Sequence, residues 1–403
     1  MTDRLYLDHN ATTITWPNVI EAMTAALEVT GNPTAQHGDG RAANAIVSKA
    51  REHVGLAMGV CAQDIVFTSG GTESCNTAIW SAIQAGCKRL LISSMDHPAT
   101  INAAENFGVD YELIPADDQG RTDMAWLKTR LSEWDVADGK PFVSLVAANS
   151  ETGVIQDVDT AIDLVEEEGG LILVDATQAL GKITLPSTPD YLAVSAHKIG
   201  GSKGIGALYV APAAPFTPLL AGGGQERRRR SGTHNVAGIA GFGAACETLI
   251  NLEHTRELRD ILEKELKALE SNIVIFGEGA ERLPNTSFFA VPDASSMTLM
   301  MGLDLEGVSV STGTACSSGK VGESRAIVAM GRSHEAPKGA IRVSFGDNAI
   351  LNEVEDFISA WMKVRRIKIN SVFRGRAANP EGLDTPRDLS GSPSEPRNDR
   401  KVG

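Results

Sequence analysis

Polar residues collect directly after the apolar runs of this chain, and these positions are where chemistry is expected. The five segments are IVFTSGGTE, LLISSMDHP, LVAANSETG, LVDATQ and AVSAHK. In open α/β sheets, ligands bind beyond the carboxyl ends of the strands, so the segments are expected to converge on one site. A single strand-end Asp or Asn is more often a turn residue or a helix N-cap. Five together favour a shared site.

The segment SGGTE, residues 69–73, opens a predicted helix. Glycine-flanked N–H groups and a hydroxyl at the positive end of a helix dipole favour an anion or a phosphate. The spacing matches neither a Walker A loop nor GxGxxG, so it does not indicate a nucleotide. An ordinary Ser/Thr helix cap is the alternative interpretation.

Three further residues suit a cofactor with a pyridine ring. Lys198 follows a buried-looking strand, where desolvation leaves an amine able to form a Schiff base, although most lysines are simply solvated. Asp175 ends the most hydrophobic run and needs a cationic partner, which a protonated pyridine nitrogen would supply. His97 could stack on a planar ring or move protons, or it could be structural. With the phosphate cradle, these residues are typical of a pyridoxal phosphate site.

Cys316 and Arg342 suit a reaction at sulfur and at a carboxylate. Cys316 lies in STGTACSSG, and a thiol on such a tract of small residues can act as a nucleophile that visits a site. Arg342 interrupts the apolar strand pattern AIRVSFG, where a guanidinium could bind a substrate carboxylate through two hydrogen bonds. A structural ion pair is the alternative for Arg342.

The other cysteines indicate no framework. The chain has five cysteines and no CxxC pair, which argues against a disulfide scaffold or a tetrathiolate zinc site and favours a reducing cytoplasm. Cys75 and Cys246 are expected to be small core residues, whereas Cys61 and Cys87 stay unassigned.

Charge and hydropathy exclude further classes of function. The net charge of −14 disfavours broad binding to nucleic acid or anionic lipid. The run Arg227–Arg230 is a solvated loop, a local nucleic-acid contact or part of an anion site. No run of about 18 apolar residues and no secretory leader pattern occurs, so we expect neither a membrane span nor export.

The elements that must position these residues alternate between short apolar runs and helical patterns. This alternation predicts an α/β fold with a parallel sheet, in which FVSLVAA and LILVDA are central strands covered on both faces. A long helix or helix pair is expected over 236–271, with a boundary near 245–255. A smaller α/β unit follows, and residues 370–403 are expected to be a disordered tail.

Taken together, the motifs resemble the NifS/IscS-like cysteine desulfurases over about residues 5–365. The motifs include YLDHNATT, GNPTAQHGDG, NSETGVIQD, VDATQALGK, SAHKIGGSKGIGALYV, GGGQERRRRSGT and STGTACSSG. This resemblance implies a class V aminotransferase-like homodimer of pyridoxal phosphate fold type I, which converts L-cysteine to L-alanine and leaves sulfur as a persulfide. It implies a large cofactor-binding domain over 13–250, and a small domain over 1–12 and 251–369 that carries the catalytic cysteine loop.

The resemblance also implies a role for each matching residue. Around the cofactor ring, Lys198 would be the Schiff-base lysine, Asp175 the partner of the pyridine nitrogen, His97 the stacking and proton-transferring residue and Gln178 the contact to the phenolic oxygen. The phosphate would be bound by Gly71, Thr72, Ser195 and His197, and by Thr233 from the other subunit. Arg342 would bind the substrate carboxylate with Asn32 as its helper, and Cys316 would be the nucleophile and persulfide carrier.

One position departs from the family pattern. Ser150 stands where the family usually has a cofactor-binding Asn, so that contact would be lost or mediated by water.

Twenty-five residues separate Cys316 from Arg342, which resembles the long-loop group and suits delivery of sulfur to an acceptor such as an iron–sulfur scaffold protein. The alternatives are a class V aminotransferase or lyase acting on another amino acid, and a low-activity sulfur-relay partner.

Overall fold

The computed structural model describes residues 4–185, 187–249, 252–313 and 324–366. The helices are α1 Pro17–Leu27, α2 Gly38–Met58, α3 Gly71–Gln84, α4 Pro98–Phe107, α5 Met124–Ser132, α6 Val158–Glu167, α7 Val236–Glu247, α8 His254–Leu269, α9 Ser296–Leu305, α10 Arg325–Ala329 and α11 Leu351–Arg365. The strands are β1 Leu5–Tyr6, β2 Ile65–Thr68, β3 Arg89–Ser93, β4 Asp110–Ile114, β5 Phe142–Val146, β6 Leu171–Asp175, β7 Tyr191–Ser195, β8 Gly206–Val210, β9 Val274–Ile275, β10 Thr286–Ala290, β11 Val308–Ser309, β12 Ser311–Thr312 and β13 Ile341–Ser344. Cys316 and the predicted tail, 370–403, lie outside the described residues.

A seven-stranded sheet forms the centre of the larger part of the chain. Its strand order is β2-β8-β7-β6-β5-β3-β4. Neighbouring strands run parallel except at β8, which is antiparallel to both β2 and β7. The predicted α/β fold with a mostly parallel central sheet is confirmed, and β5 and β6 lie in its interior as expected.

The continuous apolar run of β6 is explained by burial on both faces. Ile172 and Val174 pack into one hydrophobic core with residues of α2, α6 and α7, whereas Leu171 and Leu173 pack into another with residues of α3 and α4. Each such side chain contributes roughly 1.5–3 kcal/mol when it is fully buried. Covering both faces leaves the strand ends as the accessible part of the sheet.

A smaller α/β unit follows in the chain. It holds a four-stranded antiparallel sheet of order β12-β13-β10-β9, together with a parallel pair of β1 and β11. Its core packs α8, α9 and α11 around Phe289, Phe357 and Trp361, and it includes Leu7 from the start of the chain. The expected smaller unit is therefore present, while the exact domain limits, 13–250 and 1–12 with 251–369, stay a prediction.

None of the helices in the described ranges combines the length and hydropathy that a membrane span requires.

Candidate active site

The carboxyl ends of β2, β5, β6 and β7 surround a cavity of about 320 Å³. Ten of the residues predicted from the sequence line it: Gly71, Thr72, His97, Ser150, Asp175, Gln178, Ser195, His197, Lys198 and Arg342. The cavity is also lined by Asn10 and Ala11 from the YLDHNATT motif at the start of the chain, residues for which the sequence predicts no role. The predicted convergence of the strand-end segments is therefore observed.

The remaining predicted residues are not part of this cavity wall. Asn32 is exposed, and its side-chain oxygen accepts hydrogen bonds from the backbone N and hydroxyl of Thr34, at 3.0 and 2.8 Å. Thr233 is exposed before α7. Cys316 lies outside the described residues, so the roles of all three stay predictions.

The turn from β2 into α3 forms the predicted anion cradle. Gly70 has φ +155°, a conformation that glycine tolerates, and α3 begins at Gly71. A Cβ on Gly71 would lie 2.6 Å from Oγ1 of Thr177, so any larger residue would force that side chain or the turn to shift. That hydroxyl is buried and has no partner among the described residues. A phosphate at the N-terminus of α3 would satisfy it, and the cradle therefore fits the phosphate of pyridoxal phosphate.

Thr177 was missed by the sequence analysis. It lies two residues after the strand-end Asp175, in the same LVDATQ segment, and this position was the signal that could have identified it.

Lys198 lies in the turn that follows β7. Its Nζ donates hydrogen bonds to the carbonyl oxygens of Asn10 and Ala11, at 2.6 and 2.9 Å. Because both acceptors come from the first residues of the chain, this amine ties that segment to the central sheet. The amine lines the cavity, where a carbonyl compound could reach it.

Asp175 is buried at the end of β6, with an exposed fraction of 5%. Its Oδ1 accepts a hydrogen bond from the backbone N of Thr177 at 2.9 Å. A second buried carboxylate, Asp96, is close enough that repulsion by Asp175 adds to burial and raises the pKa of Asp96 to about 7. The negative charge of Asp175, which lines the cavity, favours a cation there, as the predicted pyridinium partner requires.

The thiol of Cys75 is fully buried and hydrogen-bonds to Asp175. Burial and the charges of Asp175 and Asp96 raise the pKa of this thiol well above its usual range. Cys87 and Cys246 are buried too, and burial also raises their pKa values. These three cysteines are therefore protonated core residues at neutral pH. Cys61 is exposed.

His97 is the N-cap of α4, where its Nδ1 accepts a hydrogen bond from the backbone N of Ala99 at 3.1 Å. Burial lowers the pKa of His97, although the charge of Asp175 opposes the shift. The ring is therefore neutral at neutral pH, and its proton is on Nε2 because Nδ1 is an acceptor. His197 behaves similarly, since burial and the charge of Lys198 lower its pKa to about 4.

Arg342 projects from β13 and is the cationic wall of the cavity. One of its terminal nitrogens lies 2.7 Å from Oδ1 of Asp8, and the other donates to the carbonyl oxygen of Ser150 at 2.9 Å. Its Nε is buried with no partner among the described residues. This arrangement leaves a donor for a carboxylate.

The sequence profile of the class-V aminotransferase family matches residues 5–357. The chain belongs to this family. A cysteine desulfurase of Cereibacter sphaeroides is 40% identical over 395 residues, covering 95% of this chain and 99% of that protein. Cysteine desulfurase IscS of Dictyoglomus turgidum is 36% identical over 361 residues, 86% of this chain and 90% of that protein. The solved NifS-like protein from Rickettsia africae has a TM-score of 0.82 and 31% identity, covering 90% of this chain and all of that one. The predicted resemblance and fold type are confirmed.

Ser150, the position at which this class-V family member departs from the usual family pattern, makes its contacts through the backbone. The described contacts of Ser150 are made by its carbonyl oxygen, which accepts from Arg342 and, at 3.4 Å, from the side-chain amide of Asn10. Gln178 is oriented from the same side, because its Nε2 donates to the carbonyl oxygen of Asn10 at 2.8 Å. Asn10 thus links Ser150, Gln178 and Lys198.

The basic run of this family member is largely committed to structure. Arg227 and Arg229 both donate to the carbonyl oxygen of Gln63, and Arg230 forms an ion pair of 3.0 Å with Glu73 in the first turn of α3. The ion pair of Arg230 places the end of the run beside the predicted anion cradle, while a role in binding an anion or nucleic acid stays a prediction.

Proposed function

We infer that this chain is a pyridoxal phosphate-dependent cysteine desulfurase, which converts L-cysteine to L-alanine and holds the sulfur as a persulfide on Cys316. The observation that carries this inference is that Lys198, Asp175 and Arg342 line one cavity. The relative at 40% identity, which is named cysteine desulfurase and matches along almost its whole length, supports the same activity.

The cavity residues divide the binding of the cofactor among themselves. Gly71, Thr72, Ser195 and His197 would hold the phosphate, and Thr177 would add a hydroxyl. Asp175 would pair with the ring nitrogen, His97 would cover the ring, and Gln178 would contact the phenolic oxygen. Lys198 would hold the cofactor covalently through Nζ. When bound, pyridoxal phosphate supplies an electron sink for the substrate carbon atoms.

Arg342 would bind the substrate carboxylate. Asp8 and Ser150 fix its position, and each terminal nitrogen carries a second N–H beyond the one used in these contacts. The Nζ of Lys198 would move the proton at the substrate Cα. Because Nζ rests between two backbone carbonyl oxygens, it has a defined position to which it can return.

The sulfur step belongs to Cys316, which lies outside the described residues. Its thiolate would attack the substrate sulfur, so that a sulfur–sulfur bond forms and the bond between sulfur and Cβ breaks. The electron pair of the broken bond stays on Cβ, and this CH2 group takes up one proton to become the methyl group of alanine. The persulfide on Cys316 then passes its outer sulfur to an acceptor.

The proposal extends to the surroundings of the enzyme. We propose a homodimer, as the resemblance implies, in which Thr233 reaches the phosphate of the other subunit. Thr233 is exposed and does not line the cavity of its own protomer, which agrees with such a role. The acceptor is a protein such as an iron–sulfur scaffold, and nucleic acid is not expected to be a partner. A reducing cytoplasmic location suits an enzyme whose thiol must be regenerated in every cycle.

The test is to give purified, cofactor-loaded protein L-cysteine and to measure alanine and protein-bound persulfide. Cys316→Ala should lose persulfide formation and keep the visible absorbance of the cofactor. Cys61→Ala, which removes an exposed cysteine, is the matched control and should behave like the wild type. Equal turnover by Cys316→Ala would reject the assignment of the nucleophile. Amino-group transfer to a keto acid would instead favour an aminotransferase.

A further inference from the structure

Lys182 is a second buried amine beside the cavity, and none of the roles above uses it. Its exposed fraction is 7%. Its Nζ donates to Oε1 of Gln178 at 2.7 Å and to Oδ1 of Asn10 at 2.8 Å. Within the described ranges no carboxylate forms an ion pair with it. Burial, together with the charges of Lys198 and Arg342, lowers the pKa of Lys182 well below its ordinary value.

Burying an amine without a counter-ion costs free energy, and its hydrogen bonds to Gln178 and Asn10 offset part of that cost. The Gln178 amide has two ends that differ chemically, an acceptor oxygen and a donor nitrogen. Lys182 donates an N–H to the oxygen end, Oε1, at 2.7 Å. The nitrogen end donates one hydrogen to the carbonyl oxygen of Asn10 at 2.8 Å, which leaves its second hydrogen for a group in the cavity.

Asn10 completes the arrangement. Its carbonyl oxygen accepts from both Gln178 and Lys198, while its side-chain oxygen accepts from Lys182. The buried amine therefore holds Gln178, the proposed phenolic-oxygen donor, and Asn10, whose carbonyl oxygen binds both Gln178 and the proposed cofactor-binding amine of Lys198. The ionisable neighbours that interact electrostatically with Lys182 are His9, His197, Lys198 and Arg342.

We propose that Lys182 is a positioning residue that fixes the Gln178 amide with its N–H toward the phenolic oxygen of the cofactor. This inference rests on the proposed function, because it requires bound pyridoxal phosphate. Without the Lys182 amine, the Gln178 amide is held only through Nε2, by the carbonyl oxygen of Asn10, and its second N–H is aimed less firmly at the phenolic oxygen. The deprotonated form of that oxygen then loses a hydrogen bond.

The experiment compares the pH midpoint of the visible absorbance of the bound cofactor in four cofactor-loaded proteins. These are the wild type, Lys182→Met, Lys182→Arg and Gln178→Ala. Losing one hydrogen bond to the charged form should raise the midpoint by about one pH unit in Lys182→Met. Lys182→Arg, which keeps N–H donors, should stay near the wild type. The exposed Lys203→Met is the control for loss of a nearby charge and should leave the midpoint unchanged.

The double variant Lys182→Met with Gln178→Ala separates orientation from simple charge. If Lys182 acts through Gln178, the double variant shifts the pH midpoint no further than Gln178→Ala alone. An additional full shift, or an unchanged midpoint in Lys182→Met, would overturn the inference. If Lys182→Met does not fold, Lys182→Gln replaces it. The shorter glutamine side chain cannot reach both Oε1 of Gln178 and Oδ1 of Asn10, so this variant should also raise the midpoint. A wild type that binds no pyridoxal phosphate would instead reject the proposed function.

Discussion

Arg342 combines two demands, since it must be held firmly and still offer hydrogen bonds to a substrate. Asp8 and the Ser150 carbonyl oxygen take its terminal nitrogens, and its Nε is left buried without a described partner. A lysine at this position would keep the charge and lose the planar set of donors.

We therefore predict that Arg342→Lys raises KM for L-cysteine by roughly 10- to 100-fold, because a hydrogen bond between charged groups contributes about 1.5–3 kcal/mol. The cofactor absorbance should be retained. Steady-state kinetics of alanine formation provide the measurement. Arg332→Lys, which changes an arginine paired with Glu335 outside the cavity, should leave KM unaffected. An unchanged KM in Arg342→Lys would refute the role.

Asp96 makes folding stability depend on pH in the direction opposite to that of an ordinary surface carboxylate. Burial, with repulsion by Asp175, raises its pKa from 3.8 to about 7 even though Ser144 donates a hydrogen bond to it. The folded chain thus keeps this proton where the unfolded chain releases it. The stability it contributes is fully present below about pH 4 and is lost as the pH rises through about 7.

Asp96→Asn removes this ionisation, and its effect should therefore change with pH. Relative to the wild type, the variant should gain about 1.4 kcal/mol in free energy of unfolding for each pH unit between about 4 and 7. Denaturant unfolding at several pH values, at equal cofactor content, measures the difference. A difference that stays constant across this range would show that Asp96 is ionised in the folded protein.

The individual residues divide clearly into those that the sequence could predict and those that it could not. Lys198 and Asp175 were predictable because each follows an apolar run that becomes a parallel strand. Lys182 and Asn10 were not, because their importance comes from contacts between segments far apart in the chain. Thr233 and Asn32 stay predictions for a related reason, since neither lines the cavity of its own protomer.

At the scale of elements, local pattern and long-range pairing behave differently. The central strands begin and end within one or two residues of their apolar runs, because burial on both faces demands uninterrupted apolar sequence. The stretch 236–271 is a helix pair, with α7 ending at Glu247 and α8 beginning at His254. Pairing of the two-residue strands β1 and β11 joins Leu5 to Val308, which no local pattern could indicate.

The N-terminus of α3 provides a prediction at this scale. Gly71→Ala would place a Cβ 2.6 Å from the Thr177 hydroxyl, so the turn or that side chain must shift. We expect the affinity for pyridoxal phosphate to fall about tenfold or more, since the cradle loses aligned donors. Equilibrium binding followed by absorbance is the measurement.

Gly38→Ala provides the matched control, because Gly38 is likewise the first residue of a helix, and the nearest atom to its added Cβ would be a flexible arginine nitrogen at 3.9 Å. This substitution should leave cofactor affinity unchanged. Equal losses in the two variants would contradict a specific cradle at α3.

At the scale of the whole molecule, hydrogen bonds anchor the segment 226–234 before α7, while Thr233 within it is exposed. Glu226 is buried and accepts hydrogen bonds from both terminal nitrogens of Arg51, at 2.8 and 2.6 Å, and it lies 2.9 Å from Nε2 of His234. These bonds keep the pKa of Glu226 at about 2, although burial alone would raise it. These contacts fix the backbone that carries Thr233, which a residue proposed to bind the phosphate in the site of the other subunit requires.

Hybrid dimers can decide which protomer Thr233 serves. Lys198→Ala should be inactive, and Thr233→Glu should be strongly impaired because its carboxylate would repel the phosphate, while Thr233→Ser keeps the hydroxyl and should retain activity. If Thr233 reaches into the partner's site, a hybrid of the two variants has one site with both defects and one intact site. Random mixing should then restore about a quarter of the wild-type activity, since about half of the dimers are hybrids. If Thr233 serves its own protomer, every site in the hybrid carries a defect, and mixing restores nothing.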